Sequence, residues 1–367
     1  MSKAAELANL IGNINAGGGG VNRNVIINGN MTIAERATSA TGLGGSDPGY
    51  QTLDRFRMNI GGTSAGRFTM AQDSSAPEGF AKSLKLSCTT ADTSIAADEL
   101  LSLQQRIEGQ NLQMFAKGTT SAKPYAVSFY VKGNASATYT CELEDGDNSR
   151  RVAKEFSVTT DWVRVELSFP KDTTGAFDDD NALSLSLNIF LHGGSNFTSG
   201  TFSANTWESI SNTTRLSDSQ TSFFDSTDRT FFITGVQLEV GQNPTEFEHE
   251  PFERTLKKCE RYYYLKGKGA ATYLGNGGYA VSSEVDCVVN FPTTMRSAPS
   301  LEQVSGTNYY SAISADGTDT LDDFVIHQST IYSILIYNNS DASGSTGRYA
   351  ALSIANAAGY IAFSSEL

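Results

Sequence analysis

The chain has 367 residues, which is too long for one ordinary hydrophobic core and long enough for two domains. Its 40 acidic and 27 basic residues give a net charge of -13, and this excludes the basic stripe with which proteins bind nucleic-acid phosphates. No apolar run reaches the roughly 18–20 residues that span a bilayer, so membrane insertion is not expected. Many Gly, Ser, Thr and Asn residues with few charges are typical of β-sheets joined by turns.

The first twenty positions predict a short amphipathic helix followed by a hinge. From Ser2 to Ile14, four apolar residues fall on one helical face: Leu7, Leu10, Ile11 and Ile14. A helix of this length is marginal alone in water, so we expect neighbouring subunits or a socket on another protein to cover that face. Gly17–Gly20 lack the Lys-Ser/Thr of a P-loop and predict a swivel. Residues 1–20 are therefore interpreted as an N-terminal anchor.

Residues 21–250 predict the first β domain. Tyr125, Val127, Phe129 and Val131 alternate with Ala126, Ser128, Tyr130 and Lys132, as in a strand with one buried face. Similar short runs recur without crossover helices, which favours an antiparallel sandwich. We interpret it as a jelly roll resembling carbohydrate-binding modules. The stretch 193–228, rich in Ser and Asn with isolated aromatic residues, predicts a long insertion pinned against its domain or a neighbour.

A change of period marks the junction of the two domains. The alternating run Phe231–Val240 predicts the last strand of the first domain. Phe252, Leu256, Cys259 and Tyr263 then fall on one helical face after Pro251, so residues 251–265 predict a linker helix. Residues 266–367 predict a second, smaller β-sandwich of short strands, among them a single strand over Gly278–Val289.

Few residues form patterns that indicate catalysis or metal binding. Asp178–Asp180 with Asp172 could supply oxygen ligands to calcium, but they lack the EF-hand spacing and a solvated turn is the alternative. Glu246, Glu248 and Glu250 could suggest glycoside cleavage, which needs two carboxyl groups facing each other across a sugar. No Ser lies in a GxSxG elbow. We therefore predict a protein that is not an enzyme and that has no metal or cofactor.

Other reactive residues are interpreted as structural. Cys88, Cys141, Cys259 and Cys287 each lie in an apolar pattern without a CxxC pair, and this predicts buried reduced thiols. His249 is expected to pack at the domain junction rather than act as a base. Asp54 and Arg55 are expected to form a structural ion pair.

Sugar-binding proteins stack pyranose rings on exposed aromatic faces next to amide and carboxylate groups. Tyr309 and Tyr310 follow Asn308, and Tyr337 precedes Asn338 and Asn339. The alternative is that many of these tyrosines are ordinary sheet residues with alternate ones in the core. The candidate glycan-contact residues are Trp207, Tyr309, Tyr310, Tyr332 and Tyr337.

Several segments resemble a family of known proteins. They are GVQLEVG at 235–241, NPTEFEHEPFERTL at 243–256 and CERYYY at 259–264, with RNVIINGNMTIAER at 23–36 and LDRFRM at 53–58. NFPTTMRSAPSLE at 290–302 and GYIAFSSEL at 359–367 resemble the C-terminal domain of the same proteins. The pattern resembles bacteriophage virion fibre proteins, mainly tail-fibre-like proteins of marine and cyanobacterial phages.

The resemblance implies a β-rich virion protein assembled in the host cytoplasm. It implies a tail fibre that is bound by its N-terminus to other virion proteins, a tail or baseplate adaptor or the capsid, and that contacts a host surface glycan or receptor. Fibres of this kind resemble homotrimers, and a closed threefold arrangement would cover exposed sheet edges. Two alternatives stay open: a capsid fibre or decoration protein without a receptor role, and a glycan depolymerase.

Overall fold

The computed structural model describes residues 2–16, 22–45 and 47–367, without the side chains of positions 9 and 12–16. The predicted all-β class is confirmed, because the chain folds into four antiparallel sheets after a short N-terminal helix. It divides into two compact units, residues 1–252 with Leu367 and residues 253–366. Among the described residues, none of the helices has the length and apolar character to cross a bilayer.

Two sheets face each other in the first unit. The six-stranded sheet has the order β1 (Ser39–Leu43), β4 (Arg67–Asp73), β5 (Ser83–Thr90), β13 (Thr230–Val240), β7 (Tyr125–Gly133) and β10 (Val163–Phe169). The seven-stranded sheet has the order β12 (Glu208–Ser209), β9 (Arg150–Val158), β8 (Ala137–Asp145), β11 (Leu183–Gly193), β6 (Leu100–Glu108), β3 (Arg57–Gly61) and β2 (Gly49–Tyr50). Short helical turns at Gly109–Asn111, Gln113–Phe115 and Asn212–Thr214, and helix α2 (Ser195–Thr198), lie in the connections.

Alternation along the strands builds the core of the first sandwich. Val127, Phe129 and Val131 of β7 are fully buried between the sheets and belong to one continuous apolar cluster. Cys88 and Cys141 belong to the same cluster, as their apolar surroundings predicted. Each buried apolar side chain contributes roughly 1.5–3 kcal/mol to folding.

The predicted insertion before the last strand is pinned to its own unit. Phe223 and Phe224 enter the core, and Leu216 packs with Leu100 and Phe190. Arg215 forms an ion pair with buried Glu142 at 2.6 Å on the outer face of the seven-stranded sheet. The insertion therefore covers part of that face.

His192 of β11 ties the insertion to the sheet. Its Nδ1 lies 2.8 Å from Ser222 Oγ, and its Nε2 lies 3.0 Å from Glu99 Oε2. Burial lowers the pKa of His192, although Glu99 and Asp92 oppose this effect. The neutral imidazole therefore accepts from the Ser222 hydroxyl and donates to Glu99.

A buried ion network closes one end of the first sandwich. Lys117 Nζ lies 2.5 Å from Asp145 and 3.2 Å from Asp172, and none of these side chains is more than 4% exposed. Arg150 also forms an ion pair with Asp172 at 2.7 Å. Burial alone would raise the pKa of Asp172. The pKa is nevertheless lowered, because the carboxylate accepts hydrogen bonds from Arg150 and the Thr174 backbone N–H and lies beside Lys117. Buried charges of this kind are tolerated only when each has partners.

The second unit is a smaller sandwich that follows helix α3 (Phe252–Glu260). A three-stranded sheet has the order β14 (Tyr263–Lys268), β23 (Tyr360–Ser364) and β17 (Ser300–Gln303). A seven-stranded sheet has the order β19 (Gly317–Leu321), β18 (Tyr310–Ser314), β22 (Tyr349–Ile354), β15 (Thr272–Val281), β16 (Glu284–Asn290), β21 (Ser333–Asn338) and β20 (Val325–Ser329). Cys287 lies in the core between these two sheets, and Cys259 of helix α3 is also buried.

The N-terminal helix α1 (Lys3–Ala16) exposes the apolar residues that the sequence predicts for anchoring. Leu7 is 57% exposed, Leu10 is 37% exposed and Ile11 is 49% exposed. The side chain of Ile14 and the glycines of the predicted hinge, residues 17–20, lie outside the described residues. The exposed leucine and isoleucine side chains leave an apolar stripe that a partner could cover.

We expect Lys117→Met to destabilise the first unit by about 3–5 kcal/mol, because it leaves Asp145 and Asp172 buried without their shared cation. Urea unfolding monitored by tryptophan fluorescence measures the loss. Lys171→Met is the matched control, since Lys171 is exposed at the same end of the sandwich. An exposed substitution of this kind changes stability by less than about 0.5 kcal/mol. Equal stability of the two variants would contradict the structural role of Lys117.

A second prediction concerns pH. His192 has a lower pKa in the folded chain than the 6.5 of an unperturbed histidine. Its contribution to stability is therefore present above about pH 6.5 and is lost as pH falls from 6.5 through the folded-state pKa. We expect His192→Gln to unfold with a weaker pH dependence across this window. His327→Gln, which removes an exposed histidine of the second unit, should keep the wild-type slope. The same pH dependence of the unfolding free energy in the wild type and in both variants would refute this role of His192.

Candidate functional site

The outer face of the seven-stranded sheet in the second unit carries exposed apolar side chains. Tyr349 of β22 is 57% exposed, Val288 of β16 is 53% exposed and Val325 of β20 is 48% exposed. The opposite face of the same strands packs into the core through residues such as Cys287 and Leu352. Exposed apolar groups that lie together on a polar surface mark interaction sites.

A groove of about 480 Å³ crosses this face. Its floor includes Gly277 and Gly278 of β15, which pair with Cys287 and Asp286 of β16. A Cβ at Gly277 would lie 1.7 Å from the Asp286 carbonyl oxygen, so only glycine fits there. The two glycines leave a strip of bare backbone that a flat ligand can approach.

Tyr349 and Arg348 line one side of the groove. The Tyr349 hydroxyl donates to Asn276 Oδ1 at 2.6 Å, which fixes the orientation of the ring. Arg348 is held by Asp316 through two hydrogen bonds of 3.2 and 3.0 Å. Its guanidinium has five N–H donors, so donors remain for a ligand.

Asp286 lies on the other side of Gly278. Its Oδ1 is buried and has no hydrogen-bond partner in the described chain. Burial raises the pKa of Asp286, Glu284 raises it further, and His327 opposes the shift. A buried acceptor without a donor costs free energy, which a ligand hydroxyl could recover.

Together these groups form a shallow site with apolar and polar parts. Val288, Leu335 and the ring of Tyr349 supply apolar contact, and Asp286, Arg348 and Asn276 supply directed hydrogen bonds. Small-molecule sites have this composition, with a mainly apolar lining and a few convergent polar groups. A sugar ring matches it, because its C–H patch packs on an aromatic face while its hydroxyls bond to the rim.

The structure separates the five aromatic residues that the sequence proposes for glycan contact. Tyr337 lies beside the groove, since it pairs with Asp286 in the sheet and packs against His327 at 5.7 Å. Tyr332 is 66% exposed in the turn before β21. Tyr309 is half-buried against the core of the second unit.

The remaining two aromatic residues have structural roles. Tyr310 is fully buried, and its hydroxyl lies 2.8 Å from the carbonyl oxygens of Val304 and Tyr360. The prediction that Tyr310 contacts a ligand is therefore wrong, because alternation along β18 turns it into the core. Trp207 packs on the first core, and its indole N–H donates to Pro170 O at 2.7 Å.

The acidic residues singled out in the sequence are accounted for within the first unit. Asp178–Asp180 are exposed, and no group of three His, Cys, Asp or Glu side chains suited to a metal occurs in the described part of the chain. Glu248 accepts the backbone N–H groups of Asn22 at 2.6 Å and Asn24 at 2.9 Å. Glu246 pairs with Arg164 at 3.2 Å. These carboxylates hold chain segments together.

His249, Asp54 and Arg55, which the sequence predicts to be structural, all contact other residues of the first unit. His249 packs against Phe80 at 5.2 Å and Phe247 at 4.9 Å. Asp54 and Arg55 are both buried. Asp54 accepts the backbone N–H of Glu35 at 3.3 Å, and Arg55 donates to the carbonyl oxygen of Arg106 at 2.6 Å. Asp54 and Arg55 therefore lie inside the first sandwich, whereas His249 is exposed and packs on its surface.

Sequence reasoning missed Tyr349, Asp286, Arg348 and Asn276. The pair Asn276 and Gly277-Gly278 offered a signal, because consecutive glycines inside a strand mark a close approach of another group. No sequence pattern predicts that Tyr349 lies next to Gly278, since that depends on the pairing of β22 with β15.

Comparisons with solved structures find carbohydrate-binding modules at low similarity. A family 11 carbohydrate-binding module of Clostridium thermocellum, in complex with a mixed-linked tetrasaccharide, has 10% identity and a TM-score of 0.28, covering 59% of this chain and 99% of the module. The galactotriose-bound module TmCBM61 has 12% identity and a TM-score of 0.30, covering 59% of this chain and 99% of the module.

A phage protein has a similar score. The enzymatically active domain of tailspike protein 4 of bacteriophage CBA120 has 12% identity and a TM-score of 0.28, covering 59% of this chain and 21% of the tailspike domain. No protein-family model matches the chain. No curated protein matches it. With TM-scores of this size, the function must be inferred from the residues of the chain itself.

Proposed function

We propose that this protein is a non-enzymatic bacteriophage tail fibre that binds a host surface glycan through the groove of its second unit. The observation that carries the proposal is the juxtaposition of exposed Tyr349, bare Gly277-Gly278 backbone and the unpartnered acceptor of Asp286. These groups match the apolar face and the hydroxyl edge of a sugar ring. The resemblance to virion fibre segments supports a location on the phage particle.

The N-terminal helix is proposed to anchor the fibre to other virion proteins. Its Leu7 and Ile11 side chains are about half exposed in the single chain, at 57% and 49%. An isolated helix of this length gains little stability in water, so a partner that covers the stripe would stabilise it. The partner would be a tail or baseplate adaptor or the capsid.

A homotrimer is proposed for the assembled fibre. Among the described residues, edge strands such as β20 in the second unit pair with one neighbouring strand. A closed threefold assembly covers such edges without growing further. Mass measurement of the purified protein tests this, and a monomer at micromolar concentration would contradict it.

The alternatives differ in location and chemistry. A capsid fibre or decoration protein would be found on the head in electron micrographs of immunogold-labelled particles, whereas a tail fibre would be found at the tail. A glycan depolymerase would release new reducing ends from a bound polysaccharide. We expect label at the tail and no release of reducing ends.

For the groove, we expect Tyr349→Ala and Asp286→Asn each to weaken glycan binding about tenfold, the loss expected for one aromatic or hydrogen-bonding contact. A panel of purified bacterial surface polysaccharides identifies the ligand, and titration calorimetry measures its affinity. Tyr332→Ala is the matched control, because it removes another exposed tyrosine, which lies outside the groove lining.

Two outcomes would refute the assignment of the groove. Wild-type affinity in both groove variants would show that the glycan binds elsewhere. A loss of affinity in Tyr332→Ala alone would show that the glycan binds at the turn before β21. Urea unfolding of each variant shows whether the second unit remains folded.

For the anchor, we expect deletion of residues 1–20 to leave a folded protein that is no longer incorporated into phage particles. The matched variant Leu7→Asp/Ile11→Asp keeps the helix and introduces charge on its apolar face. Immunoblots of purified particles measure incorporation. Normal incorporation of both variants would refute the anchoring role.

A further inference from the structure

A separate cleft of about 590 Å³ lies at one end of the first sandwich. It is formed where β7 begins and its two neighbours β10 and β13 end, because β7 runs antiparallel to both. Pro124 precedes β7, Pro170 and Lys171 follow β10, and Gln242 follows β13. Asn205 of the insertion completes the wall. The cleft is therefore distinct from the groove of the second unit.

The cleft is cationic in a protein of net charge -13. Lys123 and Lys171 line it, and no acidic residue is among its described lining. Neither amine has an ion-pair partner in the described chain, whereas buried Lys117 is paired with Asp145 and Asp172. Uncompensated positive charge in a concave site attracts anions.

Three neutral polar side chains add hydrogen-bonding capacity. Ser168, Asn205 and Gln242 line the cleft, and none has a side-chain hydrogen bond in the described chain. A hydroxyl and two amides supply both donors and acceptors. Pro124 and Pro170 supply apolar surface. A ligand with an anionic group, several hydroxyls and a C–H face would satisfy this set.

The walls of the cleft are held rigidly. The Trp207 indole N–H donates to Pro170 O at 2.7 Å, and the Gly241 N–H donates to Pro124 O at 3.1 Å. The Lys123 N–H donates to Phe115 O at 2.8 Å, and the Asn205 N–H donates to Ala153 O at 2.9 Å. Preorganised walls reduce the entropy lost when a ligand binds.

We propose that this cleft is a second saccharide site, which binds an acidic sugar residue of a polysaccharide through Lys123 and Lys171. Uronic acids and sulfated sugars both have the required anion, ring hydroxyls and C–H face. A nucleic acid is disfavoured, because an acidic protein repels a long polyanion outside the cleft. The site is independent of the groove around Tyr349, since the two lie in different units.

Titration calorimetry of the full-length protein with polygalacturonate, dextran sulfate and neutral dextran tests the proposal. We expect binding to at least one of the two acidic polymers and a loss on raising salt from 50 to 500 mM. Lys123→Gln/Lys171→Gln should weaken that binding by about a hundredfold, about tenfold for each charged hydrogen bond removed. Lys82→Gln/Lys132→Gln is the control, which removes the same charge elsewhere on the first sandwich.

The acidic polymers distinguish carboxylate from sulfate as the preferred anion. Equal losses of affinity in the two double variants would overturn the proposal for the cleft, because they would show a general effect of charge. Binding to neither acidic polymer would also overturn it, as would equal binding to double-stranded DNA. A loss in the Lys123→Gln/Lys171→Gln variant that the control does not share isolates this cleft, so failure of this site and failure of the groove are distinguishable. Urea unfolding checks that both double variants are folded.

Discussion

The groove of the second unit depends on one steric constraint, the absence of side chains at Gly277 and Gly278. A Cβ at Gly277 would overlap the Asp286 carbonyl oxygen at 1.7 Å, and one at Gly278 would lie 3.0 Å from the Arg348 carbonyl oxygen. Glycine at position 277 therefore allows β15 to pair closely with β16, and glycine at position 278 leaves the outer surface between Asp286 and Tyr349 without a side chain. The groove is a consequence of strand pairing and needs no loop to close over it.

The outer faces of the sheets are covered to different extents in the two units. In the first unit, Arg215 on the insertion covers Glu142, and Thr245 after β13 donates to buried Glu239 at 2.6 Å through its backbone N–H. Both segments satisfy polar groups that would otherwise face solvent. On the seven-stranded sheet of the second unit, Val288 and Tyr349 remain exposed. Exposed apolar area on a sheet is a hazard for aggregation unless a ligand or partner uses it, and this difference is why we propose the glycan contact in the second unit.

Much of the fold could be predicted from the sequence because strand alternation is a local property. The run Tyr125–Lys132 forms β7 with its alternate residues buried. The single strand expected over Gly278–Val289 is instead the end of β15 and the whole of β16, with a turn at Ser282-Ser283. Two serines carry no strong turn signal, so the hairpin was missed.

The candidate site was less predictable because it depends on register. Tyr309 and Tyr310 are neighbours in sequence, yet Tyr310 is buried while Tyr309 is only half-buried. Amide groups next to tyrosines drew attention to these positions, whereas the groove brings together Asn276, Asp286 and Tyr349 from three strands. Such a cluster can be recognised only when the pairing of β22, β15 and β16 is known. The cleft at Lys123 and Lys171 was missed for the same reason, since it joins the ends of three strands that are distant in sequence.

The open shape of the groove has a consequence for how such a protein would attach to a cell. A shallow site buries one face of a sugar and leaves the other in water, so each contact is weak and reversible. Weak sites become effective when several are held together, because the second contact forms at a high effective concentration. A chain with one sugar site in each unit, repeated in an oligomer, meets this condition without any deep pocket. Rigid sandwiches suit this purpose, because each site keeps its shape as long as its own unit stays folded.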